Sequence, residues 1–295
     1  DYCYGSFLLE VTEDVENAKL VGTVTDNGKI TFKNEEISVD EILSAYEDKL
    51  ESVYSCNIED RKTPMENFEF KAISYPSPAI KVAEPKVLIP AFPGTNCEFD
   101  SAKAVRDAGA EPEIIVIKNR SSADITASVE EFSTKLKDAQ MIFIPGGFSG
   151  GDEPDGSAKF ITAFFRNAKV KEAVTDLLDN RDGLMCGICN GFQALVKLGL
   201  VPYGKIIDTD ENCPTLTFNN ISRHQSRIVH TRIASTKSPW LSLMNVGDIV
   251  NVPISHGEGR FLCDEALLQK LAENGQIATQ YVDLNGVPTL DIDFN

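Results

Sequence analysis

The pentapeptide Gly187-Ile188-Cys189-Asn190-Gly191 has the residue order of a nucleophile elbow in which Cys replaces Ser. It connects an apolar, strand-like run to a helical pattern. Both glycines are needed because the nucleophile sits on a sharp, strained turn where neighbouring side chains would clash. The dipole and free amides of a helix start favour thiolate over thiol there. Cys189 is therefore predicted to be a nucleophile, with the amide of Asn190 placed to bind an oxyanion.

A second glycine-rich run, Pro-Gly-Gly-Phe-Ser-Gly-Gly-Asp at 145–152, follows the apolar segment 141–144. Such a run lets backbone amides face a ligand at close range. It lacks the Gly-Lys-Ser/Thr ending of a phosphate-binding loop. We therefore predict that Gly147 supplies a second oxyanion-hole amide opposite that of Asn190. A plain flexible loop is the alternative interpretation.

A cysteine nucleophile usually needs a histidine base that a carboxylate orients. Histidine occurs at three positions, His224, His230 and His256, and only His256 is followed two residues later by a glutamate, Glu258. Cys186 forms a C-x-x-C pattern with the nucleophile, but no second such pair completes a zinc site. We therefore predict no metal site.

From Lys86 onward, short apolar strands alternate with helical patterns. This rhythm predicts an α/β domain with a mostly parallel sheet and helices on both faces. Ligands bind beyond the carboxyl ends of strands in such sheets, so the 145–152 run and Cys189 would share one crevice. We predict three parts, in chain order a small α+β segment at 1–55, a polar, proline-punctuated linker at 56–85, and the α/β domain at 86–295. In the first part we expect a hairpin between residues 20–25 and 29–32.

The composition excludes several classes of partner. The chain has 28 basic and 45 acidic residues, a net charge of −17, which repels phosphate backbones and anionic lipid. No apolar stretch is long enough to span a membrane. The seven cysteines are irregularly spaced and no export signal is present, so we expect reduced thiols in the cytoplasm. We also expect a fragment of a longer protein, since the chain lacks an initiator Met.

Four motifs together resemble the glutaminase domain of the phosphoribosylformylglycinamidine (FGAM) synthase family. In family order they are Pro93-Gly94-Thr95-Asn96-Cys97-Glu98, Pro145-Gly146-Gly147-Phe148-Ser149, Gly187-Ile188-Cys189-Asn190-Gly191-Phe192-Gln193 and His256-Gly257-Glu258-Gly259. The resemblance covers residues 86–295, and residues 4–54 resemble the end of the synthase domain in the large, fused form of the family. It implies a class I glutamine amidotransferase with a flavodoxin-like fold.

The resemblance also implies an activity. Glutamine would be hydrolysed through a γ-glutamyl thioester, and the ammonia would pass through a channel to the synthase site. The residues carried over are the nucleophile Cys189, the oxyanion-hole amides of Gly147 and Asn190, and the glutamine-binding Gly146, Phe148 and Gln193. No cofactor is implied for this chain, whereas ATP and Mg²⁺ serve the parent synthase domain. The implied partners are glutamine and the remainder of the synthase chain.

One departure from the family concerns the base. The family's triad uses a His-Pro-Glu segment much further beyond the cysteine than His256 is here. We therefore expect His256 and Glu258 to support the active site, and we expect this chain to hydrolyse glutamine poorly or not at all. Two other functions remain open at this point. One is a cysteine hydrolase or peptidase that uses Cys189 with His256, and the other is a non-catalytic docking module.

Overall fold

The structure is a computed structural model that describes residues 4–53, 65–75, 78, 81–149, 158–221 and 223–294. The chain forms two compact units, Asp1–Ile58 and Glu59–Asn295. The first unit contains an antiparallel hairpin followed by a helix. Its elements are β1 (Lys29–Phe32), β2 (Glu35–Ser38), α1 (Val39–Glu47) and a 3₁₀ turn (Asp48–Leu50).

The hairpin of the first unit differs from the predicted one. Residues 20–25 form no strand, and β1 pairs with β2 instead. The tight turn between them places Lys33 at a φ of 55°, in the left-handed region. The expected pairing of residues 20–25 with residues 29–32 is therefore wrong. Ser38, which ends β2, also caps α1, since its Oγ accepts a hydrogen bond from the amide of Glu41 at 3.4 Å.

The second unit is built around a four-stranded parallel sheet. Its elements are, in chain order, β3 (Lys86–Ala91), α2 (Glu98–Asp107), β4 (Glu111–Val116), α3 (Ser122–Leu136), β5 (Met141–Ile144), α4 (Lys159–Phe165), α5 (Ala168–Thr175), a π-helical turn (Asp176–Asn180), β6 (Leu184–Gly187), α6 (Asn190–Leu198) and a short α7 (Leu200–Tyr203). The strand order is β4-β3-β5-β6, and every neighbouring pair is parallel. The predicted α/β fold class is confirmed.

Helices cover both faces of this sheet because side chains alternate along its strands. In β3, Leu88 faces a large apolar cluster shared with α3 to α6, whereas Val87 and Ile89 face a smaller cluster that includes Ala102 of α2. Four phenylalanine rings meet in the larger cluster, with centroids 5.4 to 6.4 Å apart. They belong to Phe92, Phe132, Phe164 and Phe165. This packing fixes the parallel sheet, and the site is built at the carboxyl ends of its strands.

Antiparallel strands follow the parallel sheet in a part of the chain that is rich in Thr, Ile and Val. The elements are β7 (Thr215–Thr217), β8 (Gln225–Ile233), a 3₁₀ turn (Pro239–Leu241), β9 (Ile249–His256), β10 (Arg260–Leu262), α8 (Glu265–Glu273) and β11 (Thr279–Val282). β8 lies between β9 and β11, and β7 pairs with β10. The turn between β9 and β10 consequently lies beside the residues that follow β7, where the Asn219 amide donates to the carbonyl of Gly257 at 2.9 Å.

Part of the predicted linker is attached to this antiparallel sheet. Phe70 forms a parallel bridge with Ser235, and its amide donates to the carbonyl of Ala234 at 2.8 Å. The Phe70 ring packs on Gly275, where any side chain would collide with it. Arg232 also forms an ion pair with Glu69. Residues 66–70 therefore belong structurally to the second unit, while the boundaries at 56 and 85 stay predictions.

The phenylalanine cluster provides a test of the core. Phe132 is fully buried against the rings of Phe164 and Phe165, so Phe132→Ala should leave a cavity and lower the free energy of unfolding by about 3–5 kcal/mol. Phe99→Ala is the matched control, because that ring is 76% exposed and its loss should change stability by about 0.5 kcal/mol or less. Denaturant unfolding measures both, and equal losses would contradict the assigned core.

Candidate active site

Cys189 occupies a strained turn between β6 and α6. It is the N-cap of α6 and has φ 53° and ψ −110°, a combination that L residues rarely adopt. Its thiol is free and exposed. Such strain persists only where the surroundings over-determine it, and it clusters at functional sites. The amide of Asn190, the first residue of α6, has no acceptor within its own helix and is available to a bound anion, whereas the Gly191 amide donates to the Ile188 carbonyl at 2.9 Å.

The two glycines of the elbow are required by close backbone contacts. A Cβ built on Gly191 would lie 2.1 Å from the carbonyl oxygen of Ile144, and one on Gly187 would lie 2.5 Å from the carbonyl oxygen of Gly191. The amide of Ile188 donates to the same Ile144 carbonyl at 3.0 Å. The elbow is thus pressed against the end of β5. The sequence argument for two glycines is confirmed in physical detail.

The glycine-rich loop after β5 touches the nucleophile. A Cβ built on Gly146 would lie 3.2 Å from the Cβ of Cys189 and 3.8 Å from its Sγ. Only a residue without a side chain leaves the space beside the thiol open. The two loops predicted to share one crevice therefore do so in the structure.

A second loop, after β3, supports the glycine-rich loop. The Asn96 amide donates to the Gly146 carbonyl at 2.9 Å, and the Phe148 amide donates to the Gly94 carbonyl at 2.8 Å. These two bonds flank an antiparallel bridge between Thr95 and Gly147, which has a φ of 137°. Neither bond uses the amide of Gly147. That amide is therefore not consumed in holding the two loops together.

A buried polar network connects two loops to the elbow. Ser149 donates to the Oδ1 of Asn190 from its Oγ at 2.6 Å and from its amide at 3.2 Å. The Nδ2 of Asn190 donates to the Oε1 of Gln193 at 3.0 Å, and the Nε2 of Gln193 donates to the carbonyl of Glu258 at 3.1 Å. All four residues are buried. Since buried polar groups are costly to leave unpaired, this network fixes the start of α6.

Cys97 is a second thiol near the nucleophile. It begins α2 in the left-handed region, with φ 69°. Partial burial, followed by the carboxylate of Asp100, the neighbouring Cys189 and then Glu98, raises the pKa of the Cys97 thiol. The sequence prediction gave Cys97 no role, although it lies inside the first of the four quoted motifs. The hydrogen bond between Asn96 and Gly146 brings Cys97 close to Cys189. Local sequence patterns do not predict this bond, because its two residues lie on separate loops.

His256 lies at the end of β9, on the loop that Gln193 contacts. Its burial, and secondarily the charge of His224, lower the pKa of the imidazole. The Nε2 of His224 is 2.9 Å from the Oγ of Ser255. In the part of the chain that the structure describes, no hydrogen bond joins the His256 ring to Cys189. His256 is therefore placed at the rim of the network rather than in a dyad with the thiol.

No group of three or more His, Cys, Asp or Glu side chains among the described residues could hold a metal ion. None of their helices is both long enough and apolar enough to cross a bilayer.

Comparison with known proteins decides the family. The model of the CobB/CobQ-like glutamine amidotransferase domain matches residues 84–295. The chain belongs to this glutamine amidotransferase family. Phosphoribosylformylglycinamidine synthase subunit PurQ from Methanococcus maripaludis is 37% identical over 209 residues, which is 71% of this chain and 71% of that protein. The same subunit from Sulfurimonas denitrificans is 34% identical over 203 residues, 68% of this chain and 76% of that protein.

Among solved structures, this amidotransferase domain is similar to PurLQS from Thermotoga maritima. The identity is 22% and the TM-score 0.48, over 72% of this chain and 84% of that chain.

The structure of the amidotransferase domain places the predicted site residues in two groups. Gly146, Gly147, Asn190 and Cys189 lie together at the carboxyl ends of β5 and β6. Phe148 is half-exposed beside them. The second group lies behind the elbow. Gln193 and Glu258 are buried there, and both ends of the Gln193 amide are bonded to protein. The predicted contacts of Gly146, Phe148 and Gln193 with glutamine stay predictions.

The elbow glycine provides a direct test of this arrangement. Gly191→Ala would drive a methyl group into the Ile144 carbonyl, so we expect it to lower the free energy of unfolding by at least about 1–3 kcal/mol. It should also slow alkylation of Cys189 by iodoacetamide. Gly257→Ala is the control for stability, since its Cβ meets nothing within 4 Å. Similar unfolding midpoints for the two variants would contradict the close contact at the elbow.

The lowered pKa of His256 predicts a pH effect on stability. Because the folded state binds a proton at His256 less readily than the unfolded chain does, stability should fall as the pH drops below about 6.5, the unperturbed value for His. His256→Gln should reduce this acid-side slope. Denaturant unfolding between about pH 8 and pH 5 measures the slope for both proteins. An unchanged slope in the variant would show that His256 is not responsible.

Proposed function

We propose that Cys189 is the nucleophile with which this amidotransferase domain attacks the side-chain amide of glutamine to supply the ammonia for FGAM synthesis. By itself the chain is expected to turn glutamine over poorly or not at all, since no histidine is bonded to the thiol among the described residues. The observation that carries the proposal is the strained, exposed Cys189 at the start of α6, beside which Gly146 leaves open the space that a side chain would fill. A nucleophile is most useful where it is accessible and its backbone neighbours can bind the developing charge. The exposure of Cys189 and the amide of Asn190 next to it support this role.

The proposed chemistry has two stages. The Cys189 thiolate attacks the amide carbon of glutamine and forms a tetrahedral intermediate with a negatively charged oxygen. The intermediate collapses when the amide nitrogen takes up a proton and leaves as ammonia, which gives a γ-glutamyl thioester. Water then attacks the thioester through a second oxyanion, releasing glutamate and the free thiol. Neither stage requires a metal or an organic cofactor at this site.

The amides of Asn190 and Gly147 are the proposed oxyanion donors. Asn190 is the first residue of α6, so its amide has no intrahelical acceptor. The amide of Gly147 lies in the loop that contacts Cys189 and is left out of the two bonds that flank its bridge to Thr95. A single well-placed donor lowers such a barrier by about 3 kcal/mol. Ser149 and Gln193 hold the side chain of Asn190 in place. The backbone amide of Asn190 would therefore need no reorganisation during the reaction.

The glutamine pocket is proposed to lie on the exposed side of Cys189. Gly146 provides the space next to the sulfur, and the half-exposed ring of Phe148 provides an apolar wall. Gln193 and the loop that carries His256 and Glu258 would shape the pocket from behind. This assignment keeps the substrate at the carboxyl ends of parallel strands, where α/β sheets bind ligands.

The ammonia is proposed to be used by a synthase. The relatives named above are subunits of phosphoribosylformylglycinamidine synthase, and a related solved structure is that of PurLQS. By analogy, the partner of this domain is the synthase part of that enzyme, which would hold ATP and Mg²⁺ and receive ammonia through a channel. A cytoplasmic location belongs to the same proposal.

A covalent probe tests the nucleophile without requiring turnover. A diazoketone analogue of glutamine should alkylate one cysteine, Cys189, and free glutamine should protect it. Cys189→Ala should lose the labelling, whereas Cys97→Ala should keep it. Intact-protein and peptide mass spectrometry identify the modified residue.

The same probe separates glutamine chemistry from peptidase chemistry. A peptide-based electrophile of equal reactivity should label Cys189 more slowly than the glutamine analogue does. Undiminished labelling of Cys189→Ala, or preferential reaction with the peptide probe, would contradict the proposed function.

A further inference from the structure

Asn219 makes five hydrogen bonds to the residues around the β9–β10 turn. Its Nδ2 donates to the carbonyls of His256, at 2.7 Å, and Arg223, at 3.0 Å. Its Oδ1 accepts from the amide of Gly259 at 3.2 Å and lies 2.8 Å from the Nδ1 of His256. Its own amide donates to the carbonyl of Gly257 at 2.9 Å. Asn219 is buried and its partners are partly buried, so these bonds are largely shielded from water.

These partners fix which way the Asn219 amide points. Carbonyl oxygens can only accept, so the atom facing the carbonyls of His256 and Arg223 must be the nitrogen. The Gly259 amide can only donate, so the atom facing it must be the oxygen. The same oxygen faces the Nδ1 of His256, and that nitrogen therefore carries the proton. The neutral imidazole then has its lone pair on Nε2.

The His256 ring is also held sterically. A Cβ built on Gly259 would lie 2.2 Å from the Cε1 of the ring, so the ring lies directly over this glycine. Its Nε2 has no hydrogen-bond partner among the residues that the structure describes. Burial and the nearby His224 disfavour the protonated ring. The imidazole is thus kept neutral, oriented and able to accept one hydrogen bond.

The turn that Asn219 closes also supports the nucleophile. The Glu258 carbonyl, within this turn, accepts from the Nε2 of Gln193, and Gln193 in turn accepts from Asn190 beside Cys189. A shift of the turn would therefore displace Gln193 and, through it, Asn190 at the start of α6. A misplacement of about 1 Å at an active site can cost up to about a hundredfold in rate.

We propose that Asn219 is a positioning residue of the glutaminase site. It holds His256 as the neutral Nδ1–H tautomer, and it anchors the turn that supports the elbow through Gln193 and Asn190. This inference rests on the proposed function and deepens it.

The tautomer can be measured directly. The chain has three histidines, so ¹⁵N spectra of the imidazoles are simple, and His256→Gln assigns the His256 signals. We expect the Nδ1–H tautomer in the wild-type chain and a change towards the Nε2–H form in Asn219→Ala. Asn219→Asp keeps an acceptor beside Nδ1 and adds a negative charge, so it should retain the Nδ1–H form and raise the pKa of His256. An Nε2–H signal in the wild type, or none of these changes in the variants, would overturn the proposal.

The effect on the site is measured by the labelling rate of Cys189. The rate with the diazoketone analogue of glutamine, divided by the rate with iodoacetamide, reports substrate positioning separately from thiol reactivity. We expect Asn219→Ala to lower this ratio by tenfold up to about a hundredfold. Asn220→Ala is the matched control, since the exposed Asn220 contacts Arg260 rather than His256 and should keep the wild-type ratio.

The outcomes distinguish this inference from the proposed function. If the glutamine analogue labels Cys189 normally in Asn219→Ala, with the fold verified by circular dichroism, the positioning role is wrong and the function stands. If Asn219→Ala does not fold, Asn219→Asp provides the decision through the pKa of His256 and the same labelling ratio. If Cys189 is not labelled selectively even in the wild-type chain, the proposed function itself fails.

Discussion

The site depends on the in-register pairing of two parallel strands at their carboxyl ends. Ile144 ends β5 opposite Gly187, which ends β6. The carbonyl of Ile144 accepts the amide of Ile188 and occupies the place where a side chain on Gly191 would be. This contact leaves the elbow no room to relax, and it brings the glycine-rich loop against Cys189. The strain at the nucleophile, the open space beside its sulfur and the position of the first amides of α6 all follow from it.

Much of this arrangement was predictable from the sequence because it rests on local patterns. The apolar run 141–144 and the glycines around Cys189 marked a strand end and a sharp turn, and the structure has both. The parallel sheet followed from the alternation of strands and helices. The helical pattern between β5 and β6 is divided into α4 and α5 at Asn167, whose side chain caps α5 by accepting a hydrogen bond from the amide of Lys169. A capping residue inside an apolar pattern is easily overlooked.

Other features were not predictable because they depend on contacts between distant parts of the chain. The hairpin of the first unit was assigned to the wrong strands, since residues 20–25 have a strand-like composition whereas β2, Glu-Glu-Ile-Ser, does not. Phe70 was placed in a linker because its strand partner, Ser235, lies far along the sequence. The position of Cys97 near Cys189 and the hydrogen bonds of Asn219 were not predictable for the same reason. Each acquires its neighbours only when loops from separate strands meet at one edge of the fold.

The proposed chemistry requires the backbone amides of Gly147 and Asn190 to bind the oxygen that becomes negatively charged after attack by Cys189. A crystal structure of the chain alkylated by the diazoketone analogue of glutamine tests it most directly, since the ketone oxygen of the adduct stands for the substrate carbonyl oxygen. We expect this oxygen within about 2.7–3.1 Å of both amide nitrogens. An adduct on Cys189 whose oxygen points into solvent, or an adduct on Cys97, would contradict the account.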